Sequence, residues 1–533
     1  MLLFISSLLK DAQPVFQRVC VYNSPLLRLE LDCEVQEFTN EISAFINVSL
    51  ELNKTGWMFF GAESNPDLTP KQQMRALGYA EGVLFHEHIA NHQANLKDWF
   101  LFAYLQPLSD YPDEVYQFYV DNLAWTRQMS QTNRDAYWKQ VAYTMAHFDG
   151  LVQGYQQKAN DSAYMSELDL FMYMSSGDLL DVVEFAVPET RHKFSQPEYA
   201  ELHDHCSGLV RITDDEVFLS QTAWFTYGSM TRVSKEYKYN IGARAKEVKF
   251  SSYPGFSYSF DDWYQTDSGM MWFETTNSIY EHKIYELCST ESVMTWIRAP
   301  LAGRMAEDAE HFSVLISKYN SGTYNNQWVS LDLKKFDAKA TENVLWVMEQ
   351  IPGKSASYDA TDRLLKDGFF PSYNIPSQRE LRIVSGYPAQ EAKNVSLSYD
   401  KAARGQIFKR DAPKIENIEQ MKEMMRYNDY IHDPLALDEK NHPEPANAIS
   451  SRYDLRNIEH NPNIKCFGGF DNKIGQYNRE TQAYTSHMIS SPANKDVPAW
   501  VFPDPKVLYC PRRGLEDGPY IHEWVQADMK RAW

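Results

Sequence analysis

The stretch Asp204-His205-Cys206-Ser207-Gly208-Leu209-Val210-Arg211-Ile212 decides how this chain folds and which residue carries its chemistry. Cys206 begins an apolar run typical of a β-strand, and a turn at 213–216 followed by a second apolar run to 225 predicts a β-hairpin. If the chain is cut before Cys206, that residue gains both a thiol nucleophile and an α-amine that can act as its base. The alternative is that Cys206 is a small buried hydrophobic residue.

The segment before the hairpin, residues 187–205, is polar, contains prolines and lacks periodicity, which predicts an exposed, cleavable linker. We therefore expect an N-terminal fragment over 16–205 and a C-terminal catalytic fragment over 206–533, the two forming one globular unit. Residues 1–15 contain an apolar run that predicts a short secretory signal, with a buried N-terminal strand as the alternative.

Hydrophobic periodicity assigns the rest of the chain. Residues 14–66 alternate apolar and polar positions and predict strands, whereas 70–158 predict helices, the first of them capped by Thr69 with Gln72 at the capping-box position. Further strands are predicted at 246–260, 270–276, 311–317 and 327–332, and helices near 286–308 and 415–431. Because strands and helices do not alternate regularly, the second half indicates an α+β fold with antiparallel sheets.

Composition excludes several classes of protein. The 533 residues carry a formal net charge of −20, which disfavours the basic surface that nucleic acids require, so no nucleic-acid partner is expected. No segment reaches the roughly 18 unbroken apolar residues of a transmembrane span. The six cysteines form no CxxC pair, which disfavours a cysteine zinc site; Cys466 with Cys510, or Cys20 with Cys33, could close short disulfide loops, but the sequence does not set the connectivity.

The remaining motifs give weaker evidence about function. Sequons for N-glycosylation occur at Asn47, Asn53, Asn160 and Asn394. The cluster of His86, Glu87, His88 and His92 lacks the H-E-x-x-H order of zinc proteases, so we interpret it as a solvated or partner-facing helix, with a metal site as a distant alternative. The chain has neither a G-x-S-x-G elbow nor a phosphate-binding P-loop.

Several longer blocks of sequence occur in one order between about residues 70 and 475, and together they resemble the phospholipase B-like family. The blocks are residues 204–208, 251–255, 261–262, 274–277, 320–328, 349–353, 372–376, 426–434 and 447–455. The resemblance implies the fold of N-terminal-nucleophile hydrolases, a four-layer αββα sandwich of two antiparallel sheets, here with an added helical N-terminal portion. It also implies a precursor that is cut before the cysteine, in a lysosomal or secreted protein.

Carried over by motif, the resemblance makes Cys206 the nucleophile and the bond after His205 the processing site. Asn325 or Asn326 resembles the asparagine that donates to an oxyanion in related amidases, although one of the two would otherwise be a turn residue. Arg452 matches a late arginine that can hold the cysteine in its reactive ionic form, the alternative being a surface cation, and Trp224 belongs to the same site.

The implied substrate is a phospholipid or another acyl lipid with an ester or amide bond, no cofactor is implied, and a homodimer is left open. The second strand of the hairpin departs from the family pattern. Relatives commonly carry a histidine and a small hydroxyl residue where this chain has Gln221 and Ala223, and glutamine cannot accept a proton as histidine does. This difference motivates a second hypothesis, a lipid-binding or scaffold protein that keeps the fold without turnover.

Overall fold

A computed structural model describes residues 14–23, 26–191, 206–507, 509–529 and 531. Most of the predicted signal segment, residues 192–205 of the predicted linker and His205 of the predicted processing site lie outside these ranges.

The described strands form a large sheet, a smaller sheet and a two-stranded ribbon. The strands are β1 Gln17–Tyr22, β2 Arg28–Leu31, β3 Ile42–Ser49, β4 Trp57–Ser64, β5 Ser207–Ile212, β6 Glu216–Thr222, β7 Trp224–Thr226, β8 Arg232–Lys238, β9 Glu247–Ser252, β10 Trp263–Thr266, β11 Met270–Thr276, β12 Asn326–Asp332, β13 Leu345–Ile351, β14 Lys354–Asp359, β15 Phe369–Ser372, β16 Phe467–Gly469, β17 Asp471–Asn478, β18 Tyr484–Ser490 and β19 Val525–Asp528. The large sheet has the order β14-β13-β12-β11-β10-β9-β8-β4-β3-β1-β2, the smaller sheet β15-β5-β6-β17-β18-β19, and the ribbon β16-β7.

Helices cover the outer faces of both sheets. Their bounds are α1 Leu52–Thr55, α2 Pro70–Leu84, α3 His86–Tyr104, α4 Asp113–Thr132, α5 Ala136–Lys158, α6 Glu167–Met174, α7 Leu179–Ala186, α8 Thr295–Met305, α9 Ala309–Ser317, α10 Leu333–Asp337, α11 Thr361–Asp367, α12 Arg379–Val384, α13 Tyr387–Glu391, α14 Ala403–Asp411 and α15 Ile418–Met425. Helices α2 and α5 cross at glycines, since a Cβ on Gly78 would lie 1.9 Å from the His147 carbonyl oxygen.

Alternation along the central strands divides the core into layers. On β11, Met271 and Phe273 join a core shared with Val217 and Leu219 of β6, so this core lies between the two sheets. The intervening Trp272 packs instead with the helices on the other face of the large sheet, while the opposite face of the smaller sheet packs on α14 and α15. The fold is therefore an α+β sandwich.

One feature of the sheets differs from the antiparallel prediction. The N-terminal strands extend the large sheet, and β4 pairs with β8 in parallel, Trp57 opposite Arg232. The other strand pairs of the described sheets are antiparallel. Residues 16–191 therefore build part of the sandwich and do not form only a helical addition to it.

The capping box predicted at Thr69 is confirmed, whereas one of the predicted strands is wrong. The backbone N–H of Thr69 donates to Gln72 Oε1 at 3.1 Å, and the predicted capping box begins α2. The strand predicted at 311–317 is wrong, because these residues belong to α9. Asp308 caps this helix by accepting from the His311 N–H at 2.8 Å, and Ala309, Phe312 and Ile316 are buried at helical spacing.

Two disulfides join Cys20 to Cys33 and Cys466 to Cys510, so both of the short loops considered from the sequence are present. Within the described ranges, the structure contains no helix with the length and apolar character needed to span a bilayer.

Candidate active site

Cys206 lies immediately before β5, where that strand reaches the end of the sandwich. Its side chain is 3 % exposed, it forms no disulfide, and its φ of 94° lies in a region that non-glycine residues rarely adopt. It lines a small pocket with a cavity volume of about 50 Å³ together with Trp224 and Tyr324. The predicted nucleophile therefore borders a cavity, although it is also a buried residue.

The rest of this Cys206 pocket is mostly apolar. Phe100, Tyr104, Leu180, Phe225 and Phe260 contribute to its wall. The pocket also contains the polar side chains of Ser176, Asp181, Asp261 and Thr276. An aromatic lining with a few polar groups has the chemistry that favours an apolar group with a polar carbonyl beside the sulfur.

Arg404 fixes the backbone of Cys206. Its Nη1 donates to the Cys206 carbonyl oxygen at 2.7 Å and to Asn374 Oδ1 at 2.7 Å. The guanidinium carbon lies 4.3 Å from the centre of the Trp224 ring, and the Trp224 indole N–H donates to the Ile449 carbonyl at 3.2 Å. Arg404 and Trp224 thus form a stacked wall beside the sulfur.

A buried cluster of charged groups lies behind the pocket. Lys473 Nζ donates to Asp261 Oδ2 at 2.5 Å and to Asp471 Oδ1 at 2.8 Å. Arg232 contacts the same two carboxylates, each at 2.8 Å. Two cations and two carboxylates therefore balance one another, as buried charges require.

Gln221, the residue that departs from the family pattern, is held by this cluster. Its Oε1 accepts from Lys473 at 2.5 Å, and its Nε2 donates to the Asp261 carbonyl at 2.5 Å. Gln221 lies on β6, the second strand of the hairpin, and therefore connects this strand to the charged cluster. Its amide group is committed to structural hydrogen bonds.

The electrostatic surroundings keep the thiol of Cys206 protonated in the uncut chain. Burial raises its pKa well above the ordinary value, and the nearby Glu274 carboxyl acts in the same direction. A hydrogen bond from the Trp224 backbone N–H and the charge of Lys473 oppose the rise. Burial also raises the pKa of Glu274, with a contribution from Asp262. The site therefore needs a base to produce thiolate.

The two predicted asparagines differ in their hydrogen bonds. Asn325 Nδ2 donates to Asp181 Oδ2 at 3.1 Å and to the Gly322 carbonyl at 2.9 Å. Asn326 is fully buried, and neither polar atom of its side chain has a hydrogen-bond partner among the described residues. Asn326 pairs across the sheet with Thr276, which lines the Cys206 pocket, but neither asparagine lines it.

Arg452 lies outside the lining of the Cys206 pocket. It is 1 % exposed, so the surface-cation alternative is wrong. Its Nε and Nη2 donate to Asp454 at 2.8 and 2.6 Å, and its Nη1 donates to the carbonyls of Ala493 and Pro498 at 2.5 and 2.8 Å. Arg452 is not among the residues that line the Cys206 pocket, and its catalytic role stays a prediction.

The histidine cluster is only partly the solvated helix that we predicted, because Glu87 is exposed and His86 and His88 are half-buried, whereas His92 is not solvated. His92 is fully buried, its Nδ1 lies 2.8 Å from the Tyr173 hydroxyl, and its ring stacks on Tyr253 with 4.8 Å between centroids. Burial lowers the pKa of His92 to about 3, so the ring is neutral. No group of three metal-ligating side chains occurs in the described parts of the chain.

Sequence reasoning missed several residues that contact the site. Asp261 and Glu274 lie in blocks that carry the family resemblance, so the blocks could have identified them. Arg404 and Lys473 lie outside those blocks, and their contacts with residues about 200 positions away leave no local pattern. For these two residues the sequence offered no signal.

Comparison with known proteins identifies the family of the chain. The sequence matches the family described as Phospholipase B over residues 44–525, and the chain belongs to that family.

Among similar proteins, Phospholipase B-like protein B of Dictyostelium discoideum is 32 % identical over 81 % of this chain and 77 % of its own length. Phospholipase B-like 1 of Homo sapiens is 31 % identical over 86 % and 82 %, and Phospholipase B of Crotalus adamanteus is 30 % identical over 84 % and 83 %. These family members support a general assignment to lipid hydrolases.

Proposed function

We propose that the chain is an N-terminal-nucleophile hydrolase that cuts itself before Cys206 and then removes acyl chains from phospholipids or related lipid esters and amides. The observation that carries this proposal is the position of Cys206, an unpaired thiol at the start of a central strand, on the wall of an apolar pocket. The layered α+β sandwich supports the four-layer αββα arrangement of such hydrolases.

In the processing step, the Cys206 sulfur adds to the carbonyl carbon of His205. The bond between that carbon and the Cys206 nitrogen breaks, and the nitrogen takes up the proton lost by the thiol. Water then hydrolyses the thioester, which restores the thiol and leaves a carboxylate on His205. The positive φ of Cys206 supports this step, since such strain costs on the order of 1–3 kcal/mol beside the bond that breaks.

After processing, the new α-amine of Cys206 supplies a base beside the thiol for the hydrolysis of substrate. With a reference pKa near 7.7–8.0, an α-amine can take the thiol proton. The thiolate attacks the acyl carbonyl of the lipid, the alcohol or amine departs with a proton, and water releases the fatty acid from the thioester. We propose Asn325 or Asn326 as oxyanion donor, with Asn326 favoured by its uncommitted amide.

Two variants test the nucleophile. Cys206→Ala removes the thiol, and we expect a single uncut chain that releases no fatty acid. Ser207→Ala, a neighbouring substitution that keeps the thiol, should still be cut and active. Full acyl hydrolysis by Cys206→Ala would refute the assignment.

A lysosomal or secreted location accompanies this function. Two disulfides are typical of proteins from oxidising compartments. The sequon residues Asn47, Asn53 and Asn160 are exposed and Asn394 is half-buried, so glycans could be attached at the first three without unfolding. Treatment of the native protein with an N-glycosidase should lower its mass, and an unchanged mass would contradict glycosylation.

The second candidate is a lipid-binding protein without turnover. It is favoured by Gln221, whose amide is bound to the charged cluster and cannot relay a proton. If the processed protein binds lipid vesicles but releases no fatty acid from phospholipids or N-acyl amides, this candidate replaces the hydrolase.

A further inference from the structure

A second cavity lies on the other side of the wall formed by Trp224 and Arg404. Its cavity volume is about 320 Å³, against about 50 Å³ for the Cys206 pocket, and Trp224 lines both. Arg404 lines the second cavity while donating to the Cys206 carbonyl. We call this cavity the polar groove.

The linings of the two cavities differ in chemistry. The Cys206 pocket is mainly aromatic and aliphatic. Six charged side chains line the polar groove: Arg404, Asp438, Glu439, Lys440, Glu444 and Arg456. A molecule that spans both cavities would therefore have an apolar part on one side of Trp224 and a charged part on the other.

Several of these charges are already neutralised within the protein. Arg456 Nε donates to Glu444 Oε1 at 3.0 Å. Asp438 accepts from the backbone N–H groups of Lys440 and His442, each at 2.8 Å, and its second oxygen lies 3.1 Å from His442 Nδ1.

Lys440 and Glu439 remain available at the rim. Both are exposed, and neither forms a salt bridge with another residue of the described ranges. The groove therefore offers the Lys440 ammonium to an anion, with the Glu439 carboxylate nearby for a cation. This combination complements a zwitterion that carries a phosphodiester and an amine.

We propose that the polar groove binds the phosphodiester headgroup of the substrate, with Lys440 as a specificity residue that contacts the phosphate. This inference rests on the proposed function, because it assigns the part of the lipid that leaves when the acyl chain is transferred to Cys206. It commits the site to phospholipids in preference to acyl substrates without a phosphate.

Glycerophosphocholine is a suitable probe because it has no acyl bond, so its binding to the wild-type protein does not depend on turnover. We expect saturation-transfer NMR to detect it, and to detect no comparable binding of glycerol, which has no charge. Lys440→Gln should weaken binding about three- to tenfold, and added salt should weaken it as well. Lys366→Gln, an exposed lysine of α11 outside the groove, is the matched control.

Kinetics with a lysophospholipid give a second readout. Lys440→Gln should raise KM by a similar factor and change kcat little, because the lost contact is with the headgroup and not with the reacting carbonyl. Binding of glycerophosphocholine no tighter than glycerol, or equal binding by wild type and Lys440→Gln, would overturn the groove assignment. Lys440-dependent binding without fatty acid release would support the groove and refute the hydrolase, whereas fatty acid release without such binding would overturn the groove alone.

Discussion

Replacing Arg404 with glutamine removes two 2.7 Å hydrogen bonds, one of them to the Cys206 carbonyl, and a cation stacked on Trp224. Hydrogen bonds from charged donors contribute about 1.5–3 kcal/mol each, and a cation–π contact at a partly exposed site contributes about 0.5–1 kcal/mol. These terms are not additive. We expect Arg404→Gln to lower the free energy of unfolding by about 2–4 kcal/mol.

The same substitution should slow the chemistry, because Arg404 holds the carbonyl of the residue that attacks. A nucleophile that is less well positioned costs about 1.4–2.7 kcal/mol of barrier, which corresponds to processing and acyl hydrolysis that are about 10- to 100-fold slower. Arg404→Lys, which keeps the charge but can reach fewer acceptors, should recover part of the rate.

The assay is the time course of precursor cleavage, followed by fatty acid release from the cut protein. Arg382→Gln is a matched control. Arg382 also donates to two carbonyls, those of Pro376 and Ser377 at 2.6 and 2.8 Å, and lies 4.9 Å from the centre of the Tyr399 ring, but these carbonyls do not belong to Cys206, whereas Arg404 donates to the Cys206 carbonyl. It should lose stability and keep its rate. Cleavage of Arg404→Gln at the wild-type rate, or equal slowing of both variants, would refute the positioning role.

Three further predictions concern the core around the site. Lys473→Met leaves two buried carboxylates with one arginine and should lower the free energy of unfolding by about 3–5 kcal/mol. A change in this free energy below about 1 kcal/mol, measured by chemical denaturation, would be inconsistent with the buried charged cluster. Gly208→Ala places a Cβ 2.1 Å from Phe273 Cε2, so overpacking of about 1–3 kcal/mol or more should lower the melting temperature, and an unchanged melting temperature would argue against the packing described. Burial raises the pKa of Asp181 to about 7, so its stabilising effect is complete below the unfolded pKa near 4 and is lost as pH rises toward 7. Asp181→Asn does not titrate, so its stability relative to wild type should increase by about 1.4 kcal/mol per pH unit across that window. A difference in stability that does not change with pH would contradict the raised pKa.

Local patterns predicted the elements that depend on neighbouring residues. The hairpin after Cys206 alternates buried positions between the two faces of its sheet, and the capping box at Thr69 begins a helix, so both could be identified from short stretches. The segment 311–317 shows the limit of this reasoning. Its apolar residues are compatible with a strand, and the cap at Asp308 and the helical spacing of Phe312 and Ile316 decide for a helix.

Contacts between distant parts of the chain could not be predicted from the sequence. The parallel pairing of β4 with β8 joins residues about 175 positions apart, and no local pattern specifies it. Arg404 reaches Cys206 from a helix in the second half, while Arg452, which the family pattern suggested, is bound to Asp454. Cys206 and Trp224 were identifiable because they flank the same hairpin, Cys206 just before β5 and Trp224 just after β6.

The most direct test of the account is the intact mass and N-terminal sequence of the large fragment from wild type and from Cys206→Ala. We predict that the wild-type fragment begins with Cys206 and that the variant remains one chain. A wild-type fragment that begins at any other residue, or a variant that is cut at the same bond, would contradict the claim that Cys206 releases its own α-amine and becomes the catalytic nucleophile.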